Sequence, residues 1–204
     1  MKKLPNYLLA GALACVCFSC NNSSQPDSAQ AAKDSNVTKM DSTGSGDSTA
    51  GRSIPTTVSK ADQNFAVNAA DAGMTEIQAG QLAEQKGMDK EVKMYAKMMI
   101  KDHTEAADKL KTIAASKNIT LPSSVSADMQ KNLDDLQAKK SGKDFDKAYM
   151  DMMVSDHKKV ISAFEDESKN GSDADIRAFA DSTLHTLHHH LDEAQKCVKM
   201  MSKM

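Results

Sequence analysis

Tryptophan is absent from this sequence and aromatic residues make up only 4% of it, so the side chains that favour β-sheets are scarce. Proline is nearly as rare. Beyond residue 60 only Pro122 remains, which leaves long stretches free of the residue that breaks helices. No apolar run approaches the roughly 20 residues that a membrane-spanning helix needs. Neither sign of charge dominates, because 26 Lys and Arg face 28 Asp and Glu for a net charge of −2. With no basic patch and no interleaving of basic and aromatic residues, nucleic acid is excluded as a partner. What the part after residue 60 does hold is Ala, Met, Leu, Lys, Glu and Asp, a composition that favours an all-α domain. Close to 140 residues are enough for a cooperative core without staples.

The first residues read differently. Lys2 and Lys3 precede an apolar run from Leu8 to Phe18, the length of the hydrophobic part of an export signal. Cys17-Phe18-Ser19-Cys20 resembles a bacterial lipobox, in which a small residue precedes the cysteine that is acylated and becomes the mature N-terminus. Ser19 fits the small position, whereas Cys17 and Phe18 depart from the usual residues before it. Cys15 is the competing site, but processing there leaves an apolar remnant from Val16 to Phe18. Residues 1–19 are thus expected to be a lipoprotein signal peptide and Cys20 the lipidation site. Of the four cysteines, Cys15 and Cys17 leave with the signal, Cys20 carries lipid, and Cys197 stands alone as a buried small residue with no partner for a disulfide. The resemblance implies an exported protein held in the cell envelope, periplasmic or outer-membrane, by its acyl chains.

Residues 20–60 are Ser, Thr, Asp, Asn, Gly and Ala with almost no large apolar side chain. Such a composition does not repay the entropy of ordering, and a disordered tether is expected. From residue 61 to 204 the pattern is helical. Phe65, Ala69, Gly73, Ile77, Gly80 and Ala83 recur at three and four residues and predict a helix from Ala61 to Gly87. Val92, Tyr95, Met99, Ala106, Leu110 and Ile113 predict a second from Asp89 to Lys117, stopped by Asn118 and Pro122. Phe145, Tyr149, Met153, Val160 and Phe164 mark a third from Lys143 to Asn170, closed by Asn170-Gly171. A fourth follows a cap at Ser172 or Asp173 and runs to Met201 through Ile176, Ala180, Leu187, Leu191, Ala194 and Val198. Some 25 residues separate helices two and three, with a short amphipathic stretch around Met129, Leu133 and Leu136. A long second connection is the mark of a ferritin-like four-helix bundle, so a crossover containing a short helix is expected.

Several ordered segments carry a family resemblance: Met74-Thr75-Glu76-Ile77-Gln78-Ala79-Gly80, then Met99-Ile100-Lys101-Asp102-His103, Leu121-Pro122, Phe145 to Met150, Asp156-His157, and Thr186-Leu187 with His190-Leu191. Over residues 62–197 the chain resembles domain of unknown function 4142, a bacterial family grouped with ferritin-like folds. That resemblance implies a fold and an envelope habitat but no activity.

The chemistry must therefore come from the residues. Val92 to His103 and Asp146 to His157 repeat the same Met-Met-x-x-Asp-His surface at an offset of 54. Glu76, His103, His157 and His190 each fall near the middle of a different helix, where residues meet whichever way the helices run. A carboxylate and three imidazoles suit a transition metal such as Fe, Cu or Zn, with Asp102 and Asp156 behind them orienting the rings. The chain contains no Glu-x-x-His, which argues against a standard di-iron centre. Met99 and Met153, one turn before the histidines, suit Cu(I) or serve as flexible core filler. His185, His188 and His189, with Met200, Met201 and Met204, form a more exposed group at the C-terminal helix. Three functions remain open: an envelope protein that binds a metal in its bundle, for stress or metal homeostasis; a structural or interaction module whose His and Asp serve the fold alone; and a redox enzyme, which lacks a recognisable nucleophile, a Gly-rich cofactor loop and a complete di-iron motif.

Overall fold

The computed structural model describes residues 27–43 and 58–203; the expected signal peptide and Cys20 lie outside them. The described residues are all-helical, with no strand. Six helices follow one another: α1 (Ser28–Thr43), α2 (Lys60–Lys86), α3 (Lys90–Ser116), α4 (Ala127–Gln137), α5 (Lys143–Asn170) and α6 (Ala174–Met201). The four long ones, α2, α3, α5 and α6, fall where the apolar periodicity puts them. Their starts are set by polar caps: Ser59 caps α2, Asp89 caps α3 and Asp173 caps α6, each accepting a hydrogen bond from the first turn. Asn118, at φ 57°, ends the run after α3 in the left-handed region that asparagine tolerates. No helix among the described residues is long and apolar enough to cross a membrane.

α2 and α3 form one antiparallel hairpin, α5 and α6 another, and α2 also packs on α5 while α3 packs on α6. The two hairpins are locked by reciprocal caps. In the first turn of α2, Asp62 accepts hydrogen bonds from the backbone N–H of Ser172 (3.1 Å) and Asp173 (2.8 Å), in the turn between α5 and α6. In the first turn of α5, Asp146 accepts from Met88 (3.1 Å) and Asp89 (2.9 Å), in the turn between α2 and α3. An offset of 84 residues relates Asp62 to Asp146, Gly87 to Gly171 and Asp89 to Asp173, so the second hairpin repeats the first. Both turn glycines have ordinary negative φ. Their need for glycine is close approach: a Cβ on Gly87 would sit 2.6 Å from the Ala83 carbonyl oxygen, and one on Gly171 would sit 2.7 Å from the Glu167 carbonyl oxygen. The sequence locates these turns correctly, but tight packing rather than a left-handed cap explains the residue.

The connection from α3 to α5 spans opposite ends of the first hairpin. At one end Lys117, just past α3, pairs with Asp173 (2.8 Å) and Asp175 (2.7 Å) at the start of α6. At the other end Gly142, just before α5, donates its N–H to the Lys86 carbonyl (3.4 Å). α4 lies in between, burying Leu133 and Leu136. The apolar interior divides into a cluster around Met99, Tyr149 and Met153 and another around Leu110, Phe164 and Leu187, with the polar residues described below between them.

α1 departs from the expectation that residues 20–60 lack structure. It contributes little apolar area, only Ala29 and Ala32 against Val67. Polar contacts dock it instead. The Asn36 side chain donates to the Thr120 carbonyl (3.0 Å) and accepts from the Thr120 N–H (2.7 Å). Ser28 Oγ accepts from the Ser123 N–H (3.0 Å), and Asp27 caps α4 through the Ala127 N–H (2.6 Å). Counting large apolar residues is blind to a helix held this way.

The reciprocal caps give a direct expectation. Asp146→Ala removes the acceptor of two part-buried N–H groups of the α2–α3 turn and is expected to cost about 1 kcal/mol in urea unfolding. Asp146→Asn, which keeps one acceptor oxygen, is expected to recover part of that loss; equal stability of wild type and the alanine variant would refute the role.

Candidate metal centre

Each helix of the bundle brings one ionisable group to mid-height. Glu76 comes from α2, His103 from α3, His157 from α5 and His190 from α6, and all four are buried, His157 and His190 completely. Their positions on the apolar stripes of long helices turn them inward, and the antiparallel packing places the middle of every helix at the same level. The four residues expected from the sequence are thus together. Ring centroids lie 5.2 Å apart for His103 and His190, 5.4 Å for His157 and His190, and 5.8 Å for His103 and His157. One nitrogen from each ring lies within 4.8 Å of the other two.

The outer hydrogen bonds set the protonation of these rings. His157 Nδ1 is 2.9 Å from the Met153 carbonyl oxygen one turn back on α5, so it must carry the hydrogen and donate. Its Nε2 is then a bare lone pair. His190 Nε2 is 3.0 Å from Asp102 Oδ2, and donation to that carboxylate leaves Nδ1 bare. Those two nitrogens, His157 Nε2 and His190 Nδ1, face each other at 3.4 Å. With both rings neutral no hydrogen lies between them. His103 Nδ1 is 3.2 Å from Glu76 Oε2, while its Nε2 is buried without a hydrogen-bond partner. Glu76 Oε1 stands 3.4 Å from His157 Nδ1 and makes no hydrogen bond of its own.

Electrostatics keep the rings neutral. Burial, then the neighbouring His190 and His157, hold His103 well below the usual imidazole range. Burial and His190 lower His157 to about 4, and burial lowers His190 against the opposing pull of Asp102. Burial, followed by the charge of Asp156, pushes Glu76 up to about 8. Burial by itself raises the Asp102 carboxyl, but hydrogen bonds from His190 and Lys101 hold it below the ordinary carboxylate range. The result is three uncharged imidazoles turned toward one small volume, two of which, His157 and His190, present lone pairs to it, with carboxyl groups behind His103 and His190.

The remaining candidates separate. Asp102 stands behind His190, a ring on the adjacent helix, rather than behind its sequence neighbour His103. Asp156 lies 3.4 Å from Lys159 and acts on the site only through its charge on Glu76. Met99 and Met153 pack in the apolar cluster with Tyr95 and Tyr149, and the contribution of Met153 is its backbone carbonyl, which periodicity does not signal. His188 lies 3.9 Å from Glu165 on the outer face, both side chains about half exposed. Cys197 is free and buried, its thiol raised by burial to about 11.

A family profile described as Domain of unknown function (DUF4142) matches residues 47–197. No curated protein and no solved structure matches the chain.

The tautomers can be read directly. In the metal-free protein at pH 7.5, long-range ¹H–¹⁵N spectra are expected to find His157 protonated at Nδ1 and His190 at Nε2. Either ring in the opposite tautomer, or both charged, would remove the facing lone pairs.

Proposed function

The chain belongs to the DUF4142 family, and we propose that this member is an exported lipoprotein whose ferritin-like bundle, with its crossover through α4, binds one transition-metal ion. The observation that carries the reading is the pair of facing imidazole nitrogens. Two bare lone pairs 3.4 Å apart repel in a buried site, and a purely structural network would turn a hydrogen between them. A cation removes the repulsion. The spacing also suits one, since two ligands at about 2.0–2.1 Å from a tetrahedral ion are themselves about 3.4 Å apart. His103 Nε2 supplies the third nitrogen. Glu76 and Asp102 hold the backs of His103 and His190, and the Met153 carbonyl holds the back of His157, the arrangement that fixes ligating imidazoles in protein metal sites. In this reading Glu76 orients rings and offsets the ion's charge, and the direct ligands are His103, His157 and His190. Three imidazoles suit Zn, Fe or Cu in their divalent states. The N-terminal lipid on Cys20 holds the bundle at a membrane surface of the envelope, where it serves metal homeostasis or stress defence.

Elemental analysis and melting test the site. In a His185, His188 and His189 to Gln background, which removes surface chelation, the protein is expected to retain about one ion per chain. At a thousandfold excess over the dissociation constant the ion adds about 4 kcal/mol of stability. His157→Ala is expected to abolish both effects, and absence of stoichiometric Zn, Fe or Cu in the background protein defeats the reading. Anchoring is tested separately: Cys20→Ser is expected to abolish incorporation of labelled palmitate and membrane fractionation while leaving the helical spectrum intact, and label persisting in that variant would move the lipid elsewhere.

A further inference from the structure

The duplication that relates the two hairpins does not extend to the histidines. Carried through the offset of 84 residues, Glu76 corresponds to Val160 and His103 to Leu187; in reverse, His157 corresponds to Gly73 and His190 to Ala106. The mate of the polar cluster is therefore small and apolar. It is also hollow. Gly73, Ala106, Val160 and Leu187 together line a cavity of about 30 Å³ between the helices, and Glu76 and His103 form its wall on the side of the metal centre. A Cβ added to Gly73 would meet nothing within 4 Å.

We infer that this cavity, the mirror position of the metal centre within the duplicated bundle, is a binding place for one small uncharged molecule the size of a diatomic gas, held directly beside the ion. The inference rests on the proposed metal site for its neighbour but on the cavity itself for its ligand. Size sets the first limit. The floor of the cleft, with a volume of about 30 Å³, accepts a single water-sized or diatomic molecule. Lining sets the second: four apolar side chains or backbone positions and a stretch of alanines from α2 and α3 offer a charged ligand no counter-charge. The third observation points toward the ion. His103 Nε2 and Glu76 Oε1, both buried and without hydrogen-bond partners, belong to two of the three polar residues of the wall, Thr183 being the third, so a molecule lodged there contacts the residues around the metal rather than a sealed apolar void. Had both halves kept the polar set, this volume would hold a second set of ligands. Apolar residues at the mate positions, two of them as small as Gly73 and Ala106, leave room beside a single ion.

Two probes separate this inference from the metal reading. Xenon needs no metal. Under xenon pressure the metal-free full-length chain is expected to show saturable amide shifts at Gly73, Ala106, Val160 and Leu187, and Gly73→Leu, which fills the space and improves helix propensity, is expected to abolish them. Nitric oxide tests the neighbour. Added anaerobically to the ferrous protein, it is expected to give a high-spin iron–nitrosyl electron paramagnetic resonance signal, with affinity reduced at least roughly tenfold by Gly73→Leu while iron affinity changes less than about threefold. Ala106→Leu serves as a second filling variant. Absence of saturable xenon shifts overturns the inference whatever the metal result. Equal nitric oxide affinity in wild type and both filled variants also overturns it, and leaves the metal reading standing. Loss of iron from the wild type with xenon shifts intact defeats the metal reading and upholds the cavity as a small-molecule site.

Discussion

The polar layer at the middle of this bundle is organised around the cost of burying Glu76 beside three imidazoles. A carboxyl removed from water favours its neutral form, and imidazoles removed from water do the same from the other side. The structure meets that constraint with partners placed outside the cluster: the Met153 carbonyl behind His157, Asp102 behind His190, Glu76 behind His103. Each outward contact fixes a ring and turns its other nitrogen toward the cluster. Apolar clusters lie above and below this layer, and helix register is set by the need to bring four different helices to one height.

The reciprocal caps of Asp62 and Asp146 maintain that register. Each aspartate belongs to the first helix of one hairpin and satisfies the turn of the other, so neither hairpin can slide along the other without stripping two backbone N–H groups. Structural duplication and functional asymmetry therefore coexist. The ends of the two hairpins are equivalent, because capping needs the same chemistry twice. Their middles are not, because only one half of the mid-height volume carries ionisable groups.

How much of this is legible without coordinates depends on the kind of interaction. The four long helices follow from apolar spacing and caps, since burial of one face is a local, periodic property of a chain. Mid-height placement of Glu76, His103, His157 and His190 follows too, because their distance from the helix ends is written in residue numbers. α1 does not follow: its docking depends on Asn36, Ser28 and Asp27 meeting backbone groups of residues 120–127, and polar side chains reveal their partners only when the chain is folded. The repeat seen at an offset of 54 matches residues on α3 and α5, which do not form a principal contact, whereas the repeat that shapes the fold has an offset of 84 and rests on two aspartates and two glycines.

The sequence by itself determined an all-helical bundle, its helix boundaries and the identity of the ionisable residues at its middle. These depend on periodicity, on capping residues and on counting along a rigid helix. Only the tertiary structure decided which nitrogens of His157 and His190 face inward, that Asp102 serves His190 and not His103, that Asp156 lies with Lys159, and that the mate of the histidine cluster is a cleft. The reason is physical. Hydrogen-bond partnership and empty space arise between helices, at distances of a few ångströms that no spacing along the chain encodes.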